Sequence, residues 1–118
     1  MFKHTQTGAK GEQIAVNFLK EKGYEILHTN WRLGKKEIDI IALVNDMLVF
    51  AEVKTRRNFD FGFPEEAVTP GKERYLKAAA DGFLDAHPHY QKIRFDIISI
   101  VLKNEELLEL RHFEDAFF

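Results

Sequence analysis

Residues 37–57 read EIDIIALVNDMLVFAEVKTRR, and the placing of charge in this stretch decides how the chain is understood. Two runs rich in Val, Ile, Leu and Phe flank the turn-forming pair Asn45-Asp46. The stretch therefore reads as two adjacent antiparallel strands, roughly 37–44 and 47–55. Side chains alternate faces along a strand. Asp39 then shares a face with Ile41 and Leu43, while Glu52 and Lys54 share one with Leu48 and Phe50. Each strand thus sets a carboxylate among apolar neighbours, which costs several kcal/mol unless a partner or a metal compensates it. Two converging carboxylates with an ammonium beside them suit a divalent cation and a neighbouring charge stabiliser.

The sequence on either side supplies the layers that would enclose such a pair. Residues 9–22 form an amphipathic helix, with Ile14, Ala15, Val16, Phe18 and Leu19 on one arc. Gly23 ends it, after Lys20 and Lys22, which suit a helix C-terminus. A short strand over 24–31 and a turn over 32–36 lead into the central pair. Residues 56–68 have no sustained period and contain Gly62 and Pro64, so they read as a loop, whose three Phe need cover. A second helix opens with Thr69 as N-cap and Pro70 at its first position, packs through Tyr75, Leu76, Ala79, Ala80, Phe83 and Leu84, and closes at His87-Pro88. Strands follow over 93–102 and 107–112. The order predicts an α/β fold, a mixed sheet flanked by helices with an αβββαβ core and an extra C-terminal strand. The link from the third strand through the second helix to the fourth is a parallel crossover.

Length and composition narrow the setting. A chain of 118 residues with 45% apolar residues can bury a core of its own and is expected to form one domain over 1–118. The absence of cysteine excludes a disulfide scaffold, a zinc–thiolate site and a cysteine nucleophile. With no secretory h-region and no run long enough to span a bilayer, the expectation is a cytoplasmic protein without membrane contact. The net charge of −2 argues against a general nucleic-acid binder. Residues 1–58, however, carry ten Lys/Arg against seven Asp/Glu, so the basic excess falls in the half that holds Asp39, Glu52 and Lys54. The five histidines show no metal-ligand spacing, and no P-loop, GxGxxG or GxSxG motif is present.

Two readings of Asp39, Glu52 and Lys54 stand side by side. One is a salt-bridged polar edge near solvent, since E-x-K alone is common. The other is a nuclease site: the acids hold Mg²⁺ through oxygen, and Lys54 orients water or stabilises charge developing on phosphorus. Glu12 bears on the choice because it falls between Leu19 and Val16 on the helical wheel, inside the apolar arc. An acid in the first turn suits the helix dipole, which explains its place along the helix but not its face. Reaching toward the metal site explains both. Glu37 shares a strand face with Asp39 and reads as a solvated strand-end acid, with a fourth metal ligand as the alternative. Lys72 and Arg74 stand in the first turns of the second helix, where the dipole disfavours cations; they are either solvated or, with the free N–H groups there, placed to receive a DNA phosphate. Arg56 and Arg57 end the E-x-K strand and are further phosphate contacts.

At these residues the chain resembles the PD-(D/E)-x-K nuclease superfamily, with its restriction-endonuclease-like fold, and within it the YraN family, similar to archaeal Holliday-junction resolvases. The resemblance runs in order through GAKGE at residues 8–12, GYEILHTNWR at 23–32, EIDIIA at 37–42, LVFAEVKTR at 48–56, FGFPEEAVTPGK at 61–72, RFDIISI at 94–100 and DAF at 115–117. It implies metal-binding acids at Glu12, Asp39 and Glu52, a catalytic lysine at Lys54, Mg²⁺ or Mn²⁺ as cofactor, and DNA, branched in some cases, as substrate. Cutting a four-way junction symmetrically implies a homodimer. The expectation is a metal-dependent endonuclease in which Arg56, Lys72 and Arg74 contact nucleic acid. The alternatives are a catalytically weak or silent nucleic-acid-binding module of the same fold, and a protein whose Phe-rich loop and FEDAFF tail dock a partner.

Overall fold

The structure, a computed structural model, describes residues 6–57 and 70–116. The Phe-rich loop, the N-cap assigned to Thr69 and the last two phenylalanines of the tail lie outside the described residues. Helix α1 (Gln6–Glu21) is followed by strands β1 (Glu25–Leu33), β2 (Lys36–Val44) and β3 (Met47–Arg56), helix α2 (Pro70–Ala86), and strands β4 (Lys92–Lys103) and β5 (Glu106–Phe113). Each expected element is present, with ends shifted by a few residues. The five strands lie side by side in chain order. All neighbours are antiparallel except β3 and β4, which pair in parallel from Met47↔Lys92 to Arg56↔Val101, as the crossover through α2 requires.

The two helices cover opposite faces of the sheet. Ala15 and Leu19 of α1 pack on Ile40, Ala42, Val49, Ala51, Ile98 and Ile100. Leu76, Ala79, Ala80 and Phe83 of α2 pack on Ile41, Leu48, Phe50, Phe95 and Ile97. Strand β4 is buried without a break from Phe95 to Leu102, the mark of a strand covered on both sides. Helix α1 stops where Gly23 adopts φ 94° and Tyr24 N–H bonds back to the Leu19 carbonyl at 3.0 Å, a left-handed cap that glycine takes without strain.

A buried polar knot fastens the C-terminal strand to this frame. Asp96 on β4 is fully buried and accepts from Arg94 Nε and Nη2, both at 2.8 Å, from His112 Nε2 at 2.7 Å and from Asp115 N–H at 3.0 Å. Arg94 also donates to the Tyr24 hydroxyl at 2.6 Å, and His112 Nδ1 accepts from Lys22 at 2.9 Å, which ties in the end of α1. Burial by itself would raise the Asp96 carboxyl, but the bonds from His112, Arg94 and Asp115 outweigh it and hold it below 3.8. A depressed carboxyl stabilises the fold above its unfolded value, and that contribution drains away as pH falls through the folded value. Asp96→Asn is therefore expected to cost about 3 kcal/mol at neutral pH. In urea titrations its deficit should narrow from about pH 4 downward. A deficit independent of pH would count against this assignment.

Candidate functional site

The β2–β3 ladder runs from Val44↔Met47 to Ile40↔Ala51 and then stops, although both strands continue. Beyond that point β2 stays with β1 as far as Lys36, and β3 stays with β4 as far as Arg56. The sheet therefore opens between its second and third strands. Asp39 and Glu52 are the first residues past the last pair, so each stands at the opening on its own strand. A backbone donor freed by parting strands needs a new acceptor when buried. Val53 N–H finds it in Asp39 Oδ2 at 2.8 Å, and Asp39 is fully buried.

Strict alternation, which put Asp39 on the face of Ile41, holds only as far as Ile40. Ile38 and Ile41 both pack beneath α2 although they are three residues apart. Strand β1 slips in step: His28 and Trp31, also three apart, both meet the Phe83 ring edge-on. Between them Asn30 takes φ 53° and falls opposite Asp39, flanked by the pairs Thr29↔Ile40 and Trp31↔Ile38. The slip turns Asp39 sideways toward the backbone of β3. The sequence signal at Asn30 is slight: an asparagine, a residue that tolerates left-handed backbone, inside a run of strand formers.

Glu52 is 3% exposed. Its Oε2 lies 3.4 Å from Lys54 Nζ and 3.3 Å from Lys72 Nζ, while Oε1 is buried with no hydrogen-bond partner among the described residues. Lys54 comes from the same strand and stands in register with the buried Ser99 of β4. Lys72 comes from the first turn of α2, with its ammonium 4.5 Å from the centre of the Tyr75 ring. The Tyr75 hydroxyl accepts from Glu37 N–H at 2.6 Å and so pins the start of β2 to the same helix. On the sequence Tyr75 is one of the packing residues of α2. Its spacing of three from Lys72 places both on one helix face, which the sequence alone could have shown.

The other sequence candidates divide. Glu37 is not the solvated acid expected: its side chain is 11% exposed, with Arg32 Nε 3.9 Å away, because Tyr75 draws the strand start under α2. Glu12 is half-buried on α1. It follows Gly11, where an added Cβ would collide with Thr55 Oγ1, so α1 presses against β3 one residue past Lys54. Among the described residues no three acids or histidines stand close enough together to hold a metal, so the gathering is of Asp39, Glu52, Lys54 and Lys72. Arg56 is half-buried, its Nε without a hydrogen-bond partner among the described residues. Arg74 lies two residues beyond Lys72, hence across the helix from it, and is exposed.

Fold and site define a small α/β protein whose sheet parts around two buried acids and two lysines. The chain matches the model of the uncharacterised protein family UPF0102 over residues 11–100, a span that includes every member of the site. It is 44% identical to the UPF0102 protein FP2501 of Flavobacterium psychrophilum over its whole length and 98% of that protein. It is 42% identical to UPF0102 proteins of Phocaeicola vulgatus, over its whole length and 97% of the relative, and of Dictyoglomus thermophilum, over 95% and 97%. The chain belongs to the UPF0102 family.

The backbone at Asn30 generates a direct test. Asn30→Gly keeps access to φ 53° and should stay within about 0.5 kcal/mol of the wild type in denaturant unfolding. Asn30→Val should lose at least about 1–2 kcal/mol, because a β-branched residue resists that backbone. Equal losses in the two variants would show that the left-handed turn is not what matters there.

Proposed function

We propose that the protein is a metal-dependent endonuclease that hydrolyses DNA phosphodiesters, with branched DNA such as a four-way junction as its substrate class. The observation that carries this is Glu52: a buried carboxylate with one oxygen between two ammoniums and the other without a hydrogen-bond partner among the described residues, on the strand whose Val53 N–H bonds Asp39. An orphaned carboxylate oxygen beside a second buried acid suits a hard cation that prefers oxygen, Mg²⁺ or Mn²⁺. Asp39 and Glu52 would hold it; among the described residues Glu12, the third acid that the resemblance implies, does not stand with them. The ion, when bound, supplies Lewis-acid polarisation of the phosphate and a more acidic water.

The chain's own residues supply the rest. Lys54 stands against Glu52 with its side chain half-buried, in place to orient the attacking water and to balance charge developing on phosphorus. Lys72 and Arg56 border the same opening and position the phosphodiester. Arg74, on the far side of α2, is left to a peripheral phosphate contact. A homodimer would present two such sites to a symmetric junction. Among the described residues no helix is long and apolar enough to cross a membrane. We place the activity in the cytoplasm, where DNA, the proposed substrate, is found.

One observation favours a second reading, a nucleic-acid-binding module without catalysis: among the described residues no third acid joins Asp39 and Glu52. A cleavage assay on linear, flapped and four-way DNA separates the two. The enzyme predicts Mg²⁺- or Mn²⁺-dependent cutting that falls by at least about 100-fold in Glu52→Gln and in Lys54→Ala. Both variants should keep the wild-type circular dichroism spectrum. Salt-sensitive DNA retention without cutting, unchanged by either substitution, supports the binding module instead.

A further inference from the structure

We propose that Lys72 is a built-in counter-cation of this site, occupying Glu52 until a divalent ion displaces it. This rests on Glu52 being a metal ligand, as proposed above. One ammonium is enough to neutralise a carboxylate, yet Glu52 Oε2 faces two, at 3.3 and 3.4 Å. They are not equivalent. Lys54 is two residues from Glu52 on a strand held at that level by β4 through the pair Lys54↔Ser99. Lys72 reaches Glu52 from a different element, on a long stem, with 29% of its side chain exposed. Its ammonium has a second seat, the face of Tyr75 at 4.5 Å, where a cation is attracted without any carboxylate. Tyr75 is itself fixed, since its hydroxyl takes the Glu37 N–H.

A divalent ion on Glu52 adds two positive charges within a few ångströms of both lysines. Like charges at that distance beside a buried carboxylate repel. Lys72 is the one able to yield: it can leave Oε2, remain over Tyr75 and turn toward the opening, where an incoming phosphate gives it a new partner. The site is thereby charge-balanced before the ion arrives, and ion affinity is reduced by the work of moving Lys72. Tyr75 acts as the positioning residue that keeps the displaced ammonium at hand.

Isothermal titration of the full-length protein with Mn²⁺ alone, without DNA, tests this. Lys72→Met and Lys72→Gln remove the charge with different polarity, and both should bind Mn²⁺ about five- to tenfold more tightly than wild type. Lys72→Arg, which keeps the charge, should stay near wild type. Suppose the wild type binds Mn²⁺, Glu52→Gln does not, and both neutral variants bind no more tightly than wild type: the role of Lys72 is then overturned and the metal site stands. If no form binds Mn²⁺, both the metal site and the role of Lys72 are overturned.

Discussion

The whole arrangement depends on the hydrogen bond from Val53 N–H to Asp39 Oδ2. Two strands that have paired as far as Ile40↔Ala51 cannot part inside a protein without stranding backbone donors and acceptors. A side-chain carboxylate that replaces one rung makes the parting tolerable. It also fixes the orientation of Asp39, because one of its oxygens is committed to β3. The left-handed backbone at Asn30 on β1 and the matching change of face on β2 serve that rung, since they turn Asp39 from the face of the sheet toward the backbone of β3. Structure and candidate chemistry are joined at this point: the device that opens the sheet is also one of the acids.

Glu52 shows the energetic cost of the site. A buried carboxylate oxygen without a partner costs about 1–3 kcal/mol. Buried ion pairs are seldom more stabilising than well-packed apolar side chains of similar volume. An apolar residue in place of Glu52, beside Phe50 and Val53, would satisfy the packing of β3 at least as well. Stability therefore does not account for Glu52, Lys54 and Lys72 standing together. The Asp96 knot is the contrast: it is equally buried and equally charged, but each Asp96 oxygen has donors, and its bonds tie β4, β5, the residues after β5 and the end of α1 to one another. One polar cluster is saturated and holds the fold; in the other, Glu52 Oε1 keeps bonding capacity among the described residues.

Much of the fold was legible because its signals are local. Apolar runs broken at Asn45-Asp46, the cap at Gly23 and the Pro70 start each act within a few residues, and the parallel crossover follows from the order of elements. The acid on each central strand and the E-x-K lysine were legible for the same reason. What escaped came from long-range geometry. Alternation misassigned Asp39 because the phase slip at Asn30 depends on two strands moving together. Glu37 was misread as solvated because its cover comes from Tyr75, 38 residues away in sequence. Lys72 and Arg74 looked alike as a basic pair, and only the docking of α2 showed that one enters the site and the other faces out. Glu12 was read from its helical face, and its neighbour Gly11 pressing on Thr55 puts α1 alongside β3.

The central claim is that Asp39 and Glu52, the first residues past the end of the β2–β3 ladder, share one hard cation. Anomalous diffraction from crystals equilibrated with Mn²⁺ measures this directly. The account predicts a single strong peak in the opening, at about 2.0–2.2 Å from a carboxylate oxygen of each residue, with the Lys72 ammonium moved away from Glu52. A peak elsewhere, or Glu52 still bridged to both lysines in crystals saturated with Mn²⁺, would contradict it.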